Sequence, residues 1–207
     1  MHIALLTASP RTDGNSRALA AAFADGAADH TVTTVDLNTV TSGGFLRDCR
    51  LCRDADGHCT IDDGYRDLVH DVLVPADAIV LATPLYFYGL PAVLKNVVDR
   101  LVCYLSAGYP RSAEVVAAMP GKRLALLLSS EEDNPALTTA LRTQVQQLCR
   151  YLRQDFVAVV HGVGNRRGEV AADPRDPIAA ARDLGRTLFD VHHTDYLLDT
   201  PRDTAAW

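Results

Sequence analysis

Five short aliphatic runs recur along this chain, each separated from the next by a stretch with helical spacing, and no other feature constrains the fold as tightly. "HIALLT" (2–7), "TVTTVDL" (31–37), "DAIVLAT" (77–83), "KRLALLLSS" (122–130) and "DFVAVVHGV" (155–163) read as strands. Residues 79–82 and 124–128 are almost purely aliphatic, as strands covered on both faces must be. The run 31–37 sets threonines between its valines, which suits a sheet edge. Helical patterns fill the intervals. The first starts near Asn15–Ser16, the second covers 64–73 behind the cap candidate Asp63, and the third covers 91–105 from Pro91. The fourth covers 135–153 behind an Asn134 cap, and the fifth covers 177–191 from Pro177. Proline costs nothing in a first turn, where its missing N–H has no acceptor. Strict alternation predicts an α/β fold of three layers, with an open five-stranded parallel sheet between helices. At 207 residues this is one domain, 1–191, with 192–207 as a C-terminal tail without clear period.

Charge narrows the partners. Twenty basic residues stand against 26 acidic ones, a net −6 with no basic run, so nucleic acid and anionic membrane surfaces are disfavoured. No apolar run reaches membrane-spanning length. The opening "MHIALLTASPR" is too short in its apolar part, and lacks the basic start, of a secretion signal. The expected compartment is the cytoplasm. Five cysteines, an odd number, agree with a reducing environment.

In a doubly wound sheet, ligands bind beyond the carboxyl ends of the strands where the strand order reverses. The loops to read are therefore 8–16, 84–90, 129–134 and 161–168. Loop 8–16, "ASPRTDGNS", offers Ser9, Thr12, Asn15 and Ser16 side chains, with Gly14 for close backbone approach and Arg11 for charge. Hydroxyls, an amide and the first N–H groups of a helix make an anion site. The loop matches neither the dinucleotide glycine fingerprint nor the nucleoside-triphosphate loop, so a terminal monophosphate fits it better. A capped helix start with a polar loop would read the same way.

Loop 84–90 holds three rings in a row, Tyr86, Phe87 and Tyr88, between Pro84 and Pro91 and beside Gly89. In the strand order 2-1-3-4-5, this loop lies next to the phosphate loop. Ring faces suit a planar heterocycle, and main-chain amides suit its heteroatoms. Such a ligand, with its phosphate in loop 8–16, is flavin mononucleotide (FMN). Packing of the rings against a neighbouring subunit is the other reading, and one ring set can serve both.

"SPRTDGNS" (9–16), "CRLCRDADGHCTIDDG" (49–64), "ATPLYFYGLPAVLKNVVDR" (82–100) and "GVGNRRGE" (162–169), in this order, resemble the NAD(P)H-dependent FMN reductase and iron–sulfur flavoprotein family over about residues 1–190. The first and third stretches are its strongest motifs. The resemblance implies a flavodoxin-like fold with strand order 2-1-3-4-5. It implies FMN phosphate on Ser9, Arg11, Asn15 and Ser16, and the isoalloxazine against Pro84, Leu85, Tyr86, Phe87 and Gly89. Ser129 and Ser130 would lie near the ring or ribityl chain. NAD(P)H would be the co-substrate, a small molecule such as a flavin or quinone the acceptor, and the assembly a homodimer or homotetramer. An electron carrier of flavodoxin type, or a flavin dehydrogenase dedicated to one biosynthetic intermediate, is the alternative reading.

The chemistry belongs to the cofactor, so no catalytic side chain is required. One nucleotide-sized site is visible, which implies that nicotinamide and acceptor use one open face in turn. His161, Glu131 and Glu132 fall on the ligand side. His161 reads as structural and the two glutamates as a solvated acidic loop, though a carboxylate there can select the acceptor. Asp99 and Arg100 read as salt-bridge partners within the helix or toward a loop. Cys49, Cys52 and Cys59 form C-x2-C-x6-C, with Ala55 where cluster-bearing relatives place a further thiolate. An iron–sulfur cluster wants four thiolates, so the loop is expected to hold neither cluster nor metal. Cys103 and Cys149 fall in helical patterns and are expected to be buried, inert thiols.

Overall fold

The computed structural model describes residues 1–48, 51–106 and 108–192; the expected tail beyond 192 and Cys49 lie outside the described residues. The five strands are β1 (His2–Thr7), β2 (Thr31–Asp36), β3 (Ala78–Pro84), β4 (Arg123–Ser130) and β5 (Asp155–Val163). All pairs are parallel, in the order β2-β1-β3-β4-β5. Strand reading from the sequence is therefore correct to within a residue at each end. β2 is the exposed edge, as its threonines require.

The helices are α1 (Asn15–Gly26), α2 (Leu37–Val40), α3 (Tyr65–Asp67), α4 (Ala92–Arg100), α5 (Val102–Ser106), α6 (Ser112–Ala118), α7 (Pro135–Leu152) and α8 (Pro177–Thr187). A π-helical stretch, Leu68–Leu73, continues α3, and a 3-10 turn spans Glu169–Ala172. Among the described residues no helix is long and apolar enough to cross a membrane.

Side chains of the central strands alternate between two cores. Ala4, Leu6, Ile79, Leu81, Leu124, Leu126 and Leu128 face one layer with α4 to α7 and the π-helical stretch. Ile3, Leu5, Ala78, Val80, Ala82, Ala125 and Leu127 face α1 and α8. This period of two follows from the pleat, and it explains why these runs contain no polar positions. α1 and α8 approach backbone to backbone. A Cβ on Gly185 would lie 2.2 Å from the Phe23 carbonyl oxygen, and one on Gly26 would lie 1.9 Å from that of Arg182. Only glycine fits at this crossing.

Several expectations about helix ends need correction. Asp63 does not cap the helix by position, because Gly64 is the N-cap residue. Asp63 instead accepts the Tyr65 N–H at 3.1 Å and both guanidinium nitrogens of Arg100 at 2.6 and 2.9 Å. That ion pair is almost fully buried, so Arg100 bonds a loop, whereas Asp99 pairs with Lys95 one turn back along α4. Pro91 is the cap itself, in an extended conformation. The run expected as one helix over 91–105 divides at Leu101, whose N–H takes a tightened bond to Val98. α6 lies between Pro110 and Pro120 and buries chiefly Val115, too few apolar anchors for a visible period. Asn134 does cap α7, accepting the Ala136 N–H at 3.0 Å.

Candidate functional site

The carboxyl ends of β1, β3, β4 and β5 open into one cavity. Ser9, Arg11, Gly14, Asn15 and Ser16 line it from the first loop, Pro84, Leu85 and Tyr86 from the third-strand loop, and Ser129, Ser130 and Glu131 from the fourth. Gly164, Asn165, Arg166 and Arg167 close it from the loop after β5. Nine of these were expected from the sequence as ligand contacts, and the fold brings all nine together. Thr12 is exposed and does not line the cavity.

The first loop is held from behind. The Ser9 carbonyl accepts from Arg17 Nη2 at 2.7 Å, from Arg17 Nε at 3.2 Å and from Asn38 Nδ2 at 3.0 Å. Arg17 Nη2 also meets Asp36 at 2.5 Å, at the end of β2. Burial alone would raise the Asp36 carboxyl, but hydrogen bonds from Asn38 and Arg17 outweigh it and hold the group below its ordinary range. The Ser9 hydroxyl accepts the Arg11 N–H at 3.1 Å, which curls the loop back before α1 begins.

Ser16 is 1% exposed, and its hydroxyl has no hydrogen-bond partner. Buried polar groups are nearly always paired, so an orphan here marks a place where something binds. It lies in the first turn of α1, where the N–H groups have no acceptor within the helix and the dipole favours an anion. Arg11 and Arg166 stand exposed at the rim, and Arg167 bridges the mouth to Asp13 at 2.8 Å.

Asn15 has a different task from the expected phosphate contact. Its Nδ2 donates to the Gly164 carbonyl at 2.7 Å and the Arg166 carbonyl at 3.0 Å, and its Oδ1 accepts the Val170 N–H at 3.3 Å. The side chain is used up in tying the first loop to the fifth, leaving its backbone N–H for a ligand. A Cβ on Gly164 would lie 2.8 Å from Asn15 Nδ2, so glycine is required for this tie. The sequence reading missed the role of Gly164–Arg167. The signal was present in "GVGNRRG", three glycines and two arginines at a strand's carboxyl end.

Ser129 and Ser130 end β4 and are both buried. The Ser129 carbonyl accepts the Leu85 N–H at 2.8 Å, which pins the ring loop beside β4. The Ser130 hydroxyl donates to the Glu132 carbonyl at 2.8 Å and lies 2.7 Å from His161 Nε2. A hydroxyl has one proton; with that proton on Glu132, Nε2 must carry its own and donate. Burial, then the charge of Arg175, pushes the His161 pKa down, against a weaker upward pull from Asp133 and Asp173. Asp173 is held well below the usual carboxylate range, chiefly by hydrogen bonds from Arg175. It accepts the Val163 N–H at 2.7 Å and so fixes the point where the fifth loop leaves its strand.

The three rings form a two-residue hairpin turn. Tyr86 and Gly89 pair across it, with N–H to carbonyl distances of 3.4 and 3.1 Å. Phe87 (φ +46°) and Tyr88 (φ +62°) are its central residues, both left-handed. Such turns normally take Asn or Gly. The Phe87 ring is 101% exposed, and only Tyr86 reaches the cavity; Phe87 and Tyr88 line a groove that continues from it past Ser130, Glu131, Glu132 and Leu137. Gly89 closes the turn and touches neither.

These residues fit FMN. A deep hydroxyl orphan, a helix N-terminus and arginines suit a phosphate monoester, and an apolar lip with a ring in the same cavity suits a flat heterocycle.

No described residue of the cysteine loop lines the cavity or the groove that continues from it. Cys52 and Cys59 are half-buried, and Cys103 and Cys149 are buried. Arg53 pairs with Cys59 in an antiparallel bridge, and its guanidinium sits 4.1 Å over the Tyr109 ring. Asn96 Nδ2 donates to the Gly44 carbonyl at 2.9 Å, and with Asp63–Arg100 it anchors the loop's two bases. Among the described residues no three His, Cys, Asp or Glu side chains converge on a metal-sized site.

Comparison with known proteins agrees with this geometry. YwqN of Bacillus subtilis (strain 168), provisionally named an NAD(P)H-dependent FMN-containing oxidoreductase, is 28% identical over 132 residues, 63% of this chain and 71% of YwqN. The iron–sulfur flavoprotein of Methanosarcina thermophila is 37% identical over 71 residues, 34% of this chain and 36% of that protein. Among solved structures, an NAD(P)H:quinone oxidoreductase from Methanothermobacter marburgensis superposes with a TM-score of 0.67 at 20% identity, covering 93% of this chain and 99% of that one. The sequence profile of the NADPH-dependent FMN reductases matches residues 1–173, from β1 through the loop that closes the cavity after β5, and the chain belongs to that family.

Proposed function

We propose that this FMN-dependent oxidoreductase passes reducing equivalents from NAD(P)H to a small planar acceptor, such as a flavin or quinone, over one open face. In sum, NAD(P)H, a proton and the acceptor give NAD(P)+ and the two-electron-reduced acceptor. When bound, FMN supplies the two-electron relay between them. The chain's own residues bind and orient. Ser16, the first N–H groups of α1 and the rim arginines hold the phosphate end, while Leu85 and Tyr86 form the lip for the ring.

One observation carries the single-face reading. The loop after β5, where a second nucleotide might otherwise be sought, is fully engaged in closing the phosphate end through Asn15, Glu169 and Arg167. The opening beside that loop is lined by Glu131, Asp133, Glu169 and Asp173, carboxylates that repel a nucleotide's phosphates, whereas the groove beyond Tyr86 continues from the ring lip. The donor's uncharged dihydronicotinamide ring, with its phosphates outside the groove, and the acceptor therefore take turns there. Initial-rate plots at several acceptor concentrations should be parallel, and anaerobic NADH or NADPH should bleach the bound flavin within the turnover time. Intersecting lines would demand a ternary complex. A flavin that neither nucleotide bleaches would make the protein an electron carrier instead.

We further propose a homodimer or homotetramer. Phe87, Phe45 and Leu51 are 101%, 66% and 82% exposed, and packing them against a second copy would remove their apolar surface from water. Light scattering at several protein concentrations tests this, and a monomer throughout would refute it.

A further inference from the structure

The groove beyond Tyr86 differs from the phosphate cavity in charge as well as in polarity. Its walls include the Tyr86, Phe87 and Tyr88 rings and Leu137, and its charged groups are the carboxylates of Glu131 and Glu132. Among the described residues no lysine, arginine or histidine lines it. The adjoining cavity, by contrast, carries Arg11, Arg166 and Arg167. Glu131 accepts from Asn165 Nδ2 at 3.0 Å, a neutral donor that leaves its charge intact. Glu132 is exposed, and the nearby Arg175 is committed to Asp133 and Asp173.

Aromatic faces carry negative charge density and attract cations, and two carboxylates beside them add to the field. A planar acceptor lying over the turn meets both. We infer that this groove selects the electron acceptor by charge: neutral and cationic planar aromatics are taken, and an anion of the same shape is turned away by Glu131 and Glu132. The inference rests on the functional reading above, since it names the acceptor class of that same site.

The test uses the oxidative half-reaction, which does not involve the nicotinamide. FMN-loaded protein is photoreduced without NAD(P)H and mixed anaerobically with naphthoquinones bearing a trimethylammonium group, no charge, or a sulfonate. Each reoxidation rate is divided by that of free reduced FMN, which removes differences in the quinones' potentials. The cationic quinone should exceed the anionic one by about tenfold at low salt, and the ratio should shrink severalfold at high salt. In the double variant E131Q/E132Q it should fall close to one; glutamine at 131 keeps an oxygen for Asn165. Binding of the redox-inert pair 2-naphthyltrimethylammonium and 2-naphthalenesulfonate to the oxidised holoprotein, read from the flavin absorbance, should show the same order and the same loss. A ratio near one or inverted in the unmodified protein overturns the inference, as does a ratio that survives in the double variant. Failure to bind FMN, or to be bleached by NAD(P)H, would instead overturn the functional reading. Normal bleaching with charge-blind reoxidation sinks the charge filter alone.

Discussion

At the phosphate end of the site, polar groups are paired before any ligand arrives: Asn15 binds two carbonyls and an N–H of the fifth loop, and Arg17 and Asn38 hold Ser9 from behind. Among the described residues that line this end, the Ser16 hydroxyl alone is buried without a partner. At the ring end, Phe87 and Tyr88 sit in left-handed conformations that cost about 1–2 kcal/mol each, and the Phe87 ring faces water entirely. One end is preorganised for an anion with no strain. The other holds strain to present apolar surface that burial does not reward. Strain kept at a turn where Asn-Gly would be easier is a signature of use rather than of stability.

The largest expected effect breaks the phosphate end. Ser16→Asp puts a carboxylate into a desolvated cradle facing a phosphate, and FMN affinity should fall by at least about 100-fold in a fluorescence titration. Unchanged affinity would remove Ser16 from that end. Asn15→Ala is milder and of a different kind. It strips the Gly164 and Arg166 carbonyls of their donor, so stability to urea should fall by about 1–3 kcal/mol and FMN should weaken about tenfold. Loss of stability with intact FMN affinity would show that closing the fifth loop is structural only.

The ring end should answer in the opposite direction. Tyr88→Gly relieves a left-handed residue and should raise stability by about 1 kcal/mol in the same urea experiment, while slowing reoxidation by quinones. Tyr86→Ala, in contrast, should release FMN more readily than Tyr88→Gly, because Tyr86 lines both the cavity and the groove. A Tyr88→Gly protein that is less stable would show that the turn is held by contacts its geometry does not display.

The sequence made these two ends legible to different depths. The strands were plain because central parallel strands must be apolar on both faces, and the branched side chains of 79–81 and 126–128 set them apart from alanine-rich helical runs such as 18–22. Ser9, Ser16 and the 84–86 lip followed from the rule that loops at the carboxyl ends meet. The work of Asn15 did not, because its partners lie about 150 residues away and are backbone carbonyls, which leave no mark on the sequence. Phe87 was expected against the flavin by its place in the motif. A backbone φ of +46° turns it out toward the groove, and no residue pattern announces a left-handed phenylalanine. Arg100 and Asp63 were recognised as charged, but their burial depends on where the long crossover folds back.

The smallest expected effect lies between the two ends, at His161, which donates to Ser130. Burial and Arg175 lower its pKa below the ordinary 6.5, with Asp133 and Asp173 pulling weakly upward and Arg142 adding to the decrease. The folded protein therefore binds fewer protons at this group than the unfolded chain does. Stability is fully present above pH 6.5 and is lost as the pH falls from there through the folded value, by at most about 1.4 kcal/mol per pH unit for one group. His70, buried and likewise lowered first by its burial, adds a second contribution of the same sign. Urea unfolding between pH 5 and pH 8 should show this slope, and His161→Gln should lessen it without abolishing it, because His70 remains. His161→Gln keeps a side-chain donor for the Ser130 hydroxyl, so FMN affinity above pH 7 should change little. An unaltered slope would mean that His161 stays neutral or charged alike in both states. The Ser130–His161 bond would then be a fixed part of the scaffold, with no coupling between acid and the centre of the site.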